Sequence, residues 1–186
     1  MTMPARRPAT YDDIVALPEH QVGEIVDGEL FVSPRPAGPH ALGNSALGAT
    51  LVTRMQFGDG GPGGWWILDE PELHLAEQVV VPDMAGWKRE HMPAPPQDVF
   101  FTLPPDWVCE VLSPSTSRFD RTRKLPVYAR AGIPHLWLLD PLAETLEVYR
   151  LQSEHWVLLA THGGDDVVNA EPFEAATVEL KRIWGR

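Results

Sequence analysis

The spacing of apolar and polar positions predicts a protein of mixed helices and strands. The run 24–32 is strand-like on both sides of Asp27-Gly28. That dipeptide supplies the two positive-φ residues a tight primed hairpin turn prefers. Upstream, Thr10 is placed to cap a short helix through Leu17, with Asp12 and Asp13 in its first turn, where the helix dipole favours acids. Residues 1–9 read as a loose arm. Over 39–57, Leu42, Ala46, Ala49 or Thr50, and Thr53 recur at helical spacing beside Leu47, Leu51 and Met55. The glycine-rich segment 58–64 ends that helix, and the proline-rich stretch around 93–96 is a second loop. Apolar runs predict strands over 65–69, 72–75, 79–87 and 107–112. The stretch 116–131 reads as loop and helix, closed by Gly132 just past its end. A buried strand over 135–140 follows. Asp140-Pro141 then turns the chain into strands over 146–151 and 156–161, and 178–184 is a short strand or helix. This order implies one mixed α/β domain over 1–186, with a sheet flanked by helices. It lacks the regular strand–helix alternation of a doubly wound fold.

Composition narrows the function classes. The chain has 186 residues, 44% of them hydrophobic and 22% charged, as in an ordinary globular protein. A lone cysteine, Cys109, cannot form an internal disulfide and suits a reducing compartment. No run approaches the roughly 18 apolar residues of a membrane span. The opening MTMPARRPAT has no apolar stretch after its arginines, so a cytoplasmic location is expected. The net charge of −11 argues against a general nucleic-acid binder, whose affinity rests on Lys and Arg. It leaves room for a site built of carboxylates that takes its positive charge from metal ions.

Two carboxylates stand out. Asp83 follows Val79-Val80-Val81-Pro82 in an expected strand, and Glu110 sits in the otherwise apolar run 107–112. An ionised carboxylate in a buried strand is costly unless it is paired or binds a metal. On neighbouring strands the two could share a hard cation such as Mg2+, which would polarise a phosphoryl group and lower the pKa of a water nucleophile. The plain alternative makes Glu110 a salt-bridged strand residue and Asp83 a turn residue. Other features carry less. The seven histidines show no zinc-site spacing. Alternation sends Cys109 to the face opposite Glu110. Ser113 and Thr116 read as turn and cap residues, and no Gly-x-Ser-x-Gly elbow marks an esterase. The acidic run Asp69, Glu70 and Glu72 reads as a solvated turn before a strand, with contact to the site as the lesser alternative.

A longer ordered set adds to this pair. Glu24-Ile25-Val26-Asp27-Gly28-Glu29-Leu30 is followed by Val81-Pro82-Asp83, then by Glu110-Val111-Leu112-Ser113-Pro114-Ser115-Thr116. Asp120, Lys124, Tyr128 and the run 131–141, AGIPHLWLLDP, complete it. In these segments the chain resembles the bacterial Uma-two family of the PD-(D/E)xK nuclease superfamily. The resemblance implies a restriction-endonuclease-like fold, with a central mixed sheet flanked by helices and carboxylates at its opened end. It implies Asp83 and Glu110 as catalytic metal ligands, with Glu24 as an earlier acidic ligand. His40, at the start of the long helix, would touch substrate phosphate. Leu112 occupies the usual lysine position. Lys124, displaced to the next helix, is the candidate to orient water and stabilise charge. Its plain alternative is a surface pair with Asp120 at i,i+4; Lys88 is the other cation to consider. Pro126 cannot donate an interior helix bond, so the helix starts near Leu125 or kinks. The implied activity is a Mg2+-dependent endonuclease, with Mn2+ as substitute, acting on nucleic acid and first of all DNA. Arg118, Arg121 and Arg123 would contact that nucleic acid, and a homodimer would suit cutting both strands. The rival is a non-catalytic binding or assembly domain that retained the fold.

Overall fold

The computed structural model describes residues 7–33 and 37–186. Over 1–6 the expected loose arm lies outside the described residues, but its end is held. The Ala9 N–H donates to the Gly28 carbonyl at 2.8 Å, and Arg7 pairs with Asp13 at 2.6 Å. Helix α1 (Tyr11–Val15) opens with Asp13 accepting the Thr10 N–H, and stops short of Leu17. The hairpin of β1 (Val22–Val26) and β2 (Glu29–Ser33) turns at Asp27 and Gly28, whose φ values of 51° and 78° are the expected positive pair. Helix α2 (Gly38–Leu51) continues through a wide π turn, Val52–Gln56.

The expected strand over 79–87 is two strands in two sheets. Between β5 (Gln78–Val80) and β6 (Met84–Lys88) the chain steps through Val81, Pro82 and Asp83. Proline cannot donate to a ladder, so a break at Pro82 follows from its chemistry. Asp83 therefore stands on the step before β6 and not within a strand. The single expected sheet is likewise two principal sheets. The smaller is antiparallel, ordered β2-β1-β5-β4, with β4 at Leu73–Leu75.

The larger sheet runs from β3 (Trp65–Asp69) through β6, β7 (Trp107–Val111), β8 (His135–Asp140) and β9 (Thr145–Gln152) to β10 (His155–Gly163). Its pairs are antiparallel except β7 with β8, which makes the sheet mixed. A parallel pair needs a crossover. Here α3 (Ser117–Phe119), a π turn over Asp120–Lys124 and α4 (Leu125–Arg130) supply it, and Gly132 closes them with φ 74°. Near the C-terminus β12 (Val178–Glu179) pairs with β11 (Val167–Val168) and leads into α5 (Leu180–Ile183), so 178–184 is a strand and then a helix.

The large sheet separates two apolar clusters. On one face Trp107, Cys109 and Val111 pack with Leu47 and Leu51 of α2 and Ile183 of α5. On the other, Val108 and Leu112 pack with Val26, Val80, Trp87 and Tyr128, from the small sheet, β6 and α4. Alternation along β7 thus sends Cys109 away from the face that Glu110 shares with Val108, as expected. Among the described residues no helix is long and apolar enough to cross a membrane.

Candidate active site

Glu24 on β1, Asp83 on the step before β6, Glu110 on β7 and Lys124 in the second π turn line one cavity of about 250 Å3. Strand register brings them there. β6 pairs with β7 through Met84 and Cys109, so the next pair in that register is Asp83 with Glu110. The Val111 N–H donates to Asp83 Oδ2 at 2.7 Å. β1 pairs with β5 through Ile25 and Val79, which sets Glu24 opposite Val80 and next to Val81, whose N–H donates to Glu24 Oε1 at 2.9 Å.

Lys124 joins the two glutamates. Its ammonium donates to Glu110 Oε2 at 3.0 Å and to the Val81 carbonyl at 2.9 Å, and is ion-paired with Glu24 Oε1 at 3.1 Å. Two hydrogen bonds and an ion pair thus surround a group that has only donors to offer. Burial opposes the charge on Lys124, but Glu110, Glu24, Asp120 and Asp83 together outweigh it and hold the lysine above its ordinary range. Burial also pushes Glu110 upward, with Lys124 pulling the other way. These two tendencies compete over one proton, and the two carboxylates and the carbonyl around Nζ decide for the ammonium and an ionised Glu110. Tyr128, buried on α4, donates to Glu110 Oε1 at 2.5 Å.

The helical crossover explains why Lys124 points inward. Asp120, Lys124 and Tyr128 are spaced by four. In an α-helix each such step overshoots a full turn by about 40°, so three residues would fan out. The π turn, closed by i→i+5 bonds, rotates less per residue and takes back that drift. Pro126 sits in the first turn of α4, where its missing N–H costs least. The α-helix thus starts at Leu125, as expected, directly after the π turn that carries Lys124 inward. The surface-pair alternative for Lys124 is overturned, since it is 3% exposed.

His40 and Asp120 complete the inner wall. His40 Nε2 lies 3.0 Å from Asp83 Oδ1, and its Nδ1 is buried without a partner among the described residues. Burial opposes its charge, yet the bond and charge of Asp83 raise its pKa overall. Asp120 is pushed up to about 6, by burial first, against the pull of Lys124 and a bond from Thr116. Ser113 and Thr116 keep their turn role, with Ser113 Oγ accepting the Thr116 N–H at 3.3 Å, and also line the cavity.

Other expected residues fall elsewhere. Arg118, Arg121 and Arg123 are absent from the cavity wall. Arg121 is held by Glu147 at 2.9 Å and Arg123 by Glu29 at 3.2 Å, while Arg118 is exposed. They lie on the crossover as expected, but its inward side belongs to Asp120, Lys124 and Tyr128. Lys88 is also outside the cavity, with its ammonium 5.8 Å from the Trp65 ring centre. The acidic run is not a simple solvated turn: Glu70 lines the cavity, and its N–H donates to the Asp83 carbonyl at 3.0 Å. Asp120 and Tyr128 had a signal in the sequence, their four-residue spacing from Lys124. Glu70, with φ of 44° in a tight turn, had none.

The wall thus carries Glu24, Glu70, Asp83, Glu110 and Asp120 against Lys124 and His40. Among the described residues no three His, Cys, Asp or Glu side chains form a ready-made metal cage. Mg2+ does not require one: it takes one or two carboxylates and fills its octahedron with water and substrate phosphate oxygens. Asp83, with its side chain 16% exposed, opens to the cavity, and Glu110, 1% exposed, stands behind it. This hard-oxygen donor set fits Mg2+ or Mn2+.

The crystal structure of "a putative nuclease belonging to DUF820" from Anabaena variabilis ATCC 29413 is similar in fold. It is 23% identical, with a TM-score of 0.76, over 96% of this chain and 98% of that one. No curated protein matches the sequence. The Uma2 family profile, described as "Putative restriction endonuclease", matches residues 10–181, and with that match spanning nearly the whole length the chain belongs to the Uma2 family.

Proposed function

We propose that this protein is a divalent-metal-dependent endonuclease that hydrolyses phosphodiester bonds of DNA. The observation that carries the reading is the convergence of Asp83, Glu110 and Glu24 on Lys124 in one cavity. Asp83 and Glu110 would hold Mg2+, with Glu24 assisting. The ion supplies Lewis acidity toward the phosphoryl group and an acidified water. The chain's own groups do the rest. His40 and the Val111 N–H fix both oxygens of Asp83, and Tyr128 fixes Glu110. Lys124 places a positive charge beside the developing charge of the phosphate, as the missing lysine at Leu112 would have done. The lone Cys109 is buried and has no second cysteine to pair with, which accords with action in the cytoplasm.

One observation favours the second reading, a binding or assembly domain without turnover: Lys124 already engages both Glu24 and Glu110. A metal panel on single- and double-stranded DNA and RNA separates the two. The nuclease reading expects cleavage with Mg2+ or Mn2+, lost in Asp83→Asn and reduced in Lys124→Ala while Mg2+ still raises the melting temperature of the lysine variant. No cleavage of any substrate under any metal, by chain that Mg2+ fails to stabilise, would leave the second reading.

A further inference from the structure

The two edges of the large sheet are treated differently. At the β3 edge the Ile67 N–H donates to Gln56 Oε1 at 2.9 Å, and the Trp65 carbonyl accepts from Arg89 Nε at 3.3 Å. The opposite edge is β10, whose sheet neighbour is β9 alone. Among the described residues, no backbone group over 156–162 bonds to anything beyond the β9 ladder. β10 is nine residues long and exposes Val157, Leu158 and Leu159 by 37%, 50% and 39%. Edge strands that stay unpaired are usually short, or carry lysine or proline. Residues 155–163 contain no Asp, Glu, Lys, Arg or Pro, and only a bulge between Leu158 and Ala160 interrupts the ladder.

We propose that β10 pairs antiparallel with β10 of a second copy of this chain about a two-fold axis, joining the two large sheets into one. Each copy has a net charge of −11, so contact between acidic surfaces is repulsive. β10 offers a strip without formal charge, where two copies meet free of that repulsion. The two-fold also makes the contact self-complementary, because the strand meets its own reverse and its outward N–H and carbonyl groups on one side of the bulge can pair with the same groups of the partner. The pairing stands on the sheet edge and does not depend on the nuclease reading.

Sedimentation of the full chain over a dilution series tests this, together with hydrogen exchange. The expected result is a species of twice 20.7 kDa that dissociates on dilution, with amides over 156–162 more protected at high concentration. Leu158→Lys with Leu159→Lys puts like charges across the axis and should give a monomer with an unchanged far-ultraviolet spectrum. If that variant fails to fold, exchange on the unaltered chain still decides. A chain that stays monomeric at every concentration, a dimer that leaves exchange over 156–162 unaltered, or a dimer that survives the double lysine variant overturns the proposal.

Discussion

At the scale of single residues, the site is a contest between burial and neighbouring charge. Asp120 shows it most directly, with its pKa raised from 3.8 to about 6. Between these values the folded chain holds a proton that the unfolded chain has released, so stability falls as pH rises through that window and stays lower above it. Asp120→Asn removes the penalty. Urea unfolding in metal-free buffer should find the variant more stable at neutral pH, by up to ~3 kcal/mol for a shift of about two units. The advantage should shrink as pH falls from 6 toward 4; a difference that ignores pH would contradict the assignment. Lys124 has the opposite role. Its removal leaves Glu110 and Glu24 buried without their cation, a loss of roughly 3–5 kcal/mol. Lys124→Met should therefore unfold at lower urea, and acid should narrow the gap as the carboxyls protonate.

At the scale of elements, positions far from the chemistry set the side chains that perform it. The π turn over Asp120–Lys124 keeps Asp120, Lys124 and Tyr128 on one line, and the Pro82 break leaves Asp83 at the lip of the cavity. β6 itself is held by close packing at Gly86, where a Cβ would meet Ile67 Cδ1 at 3.1 Å, Trp107 Cε3 at 3.2 Å and Trp65 Cε3 at 3.3 Å. Those rings are buried and have little room to retreat. Gly86→Ala should cost about 1–3 kcal/mol through overpacking, measured as a lower denaturation midpoint. Because β6 leads directly from Asp83, the same variant should weaken Mg2+-dependent stabilisation. A neutral effect on both would show that the strand shifts freely.

At the scale of the whole molecule, charge governs encounter with a polyanion. A chain of net charge −11 whose nearby arginines are engaged by Glu147 and Glu29 has little to attract phosphate unaided. DNA binding without metal should be weak, and Ca2+ or Mg2+ should strengthen it, with added salt reducing it again. Fluorescence anisotropy with a labelled oligonucleotide reads this directly, and tight binding in chelator would refute it. Charge reversal at exposed Arg118 should reduce affinity while leaving metal binding nearly unchanged. At Arg121 or Arg123 it would also break an ion pair, so its effect on stability must be measured alongside.

The sequence by itself determined the local grammar. Asp27-Gly28 dictated the primed hairpin because few other dipeptides accept positive φ twice. The apolar run around Glu110 marked a buried strand, and the cost of a charge there marked Glu110 as paired or ligating. The family resemblance carried by the ordered motifs implied Asp83, Glu24 and Lys124 as one site before any coordinates did. Tertiary structure alone decided the split of 79–87 between two sheets, because apolar periodicity does not say which neighbour a strand will choose. It alone showed that Glu70 reaches the cavity, since a turn residue's direction depends on what the turn packs against. It also divided the basic cluster, sending Lys124 inward among carboxylates and leaving Arg121 and Arg123 to surface glutamates. A five-residue π turn rotates side chains by amounts that a list of letters does not encode, and that rotation separates a buried cation from a solvated one.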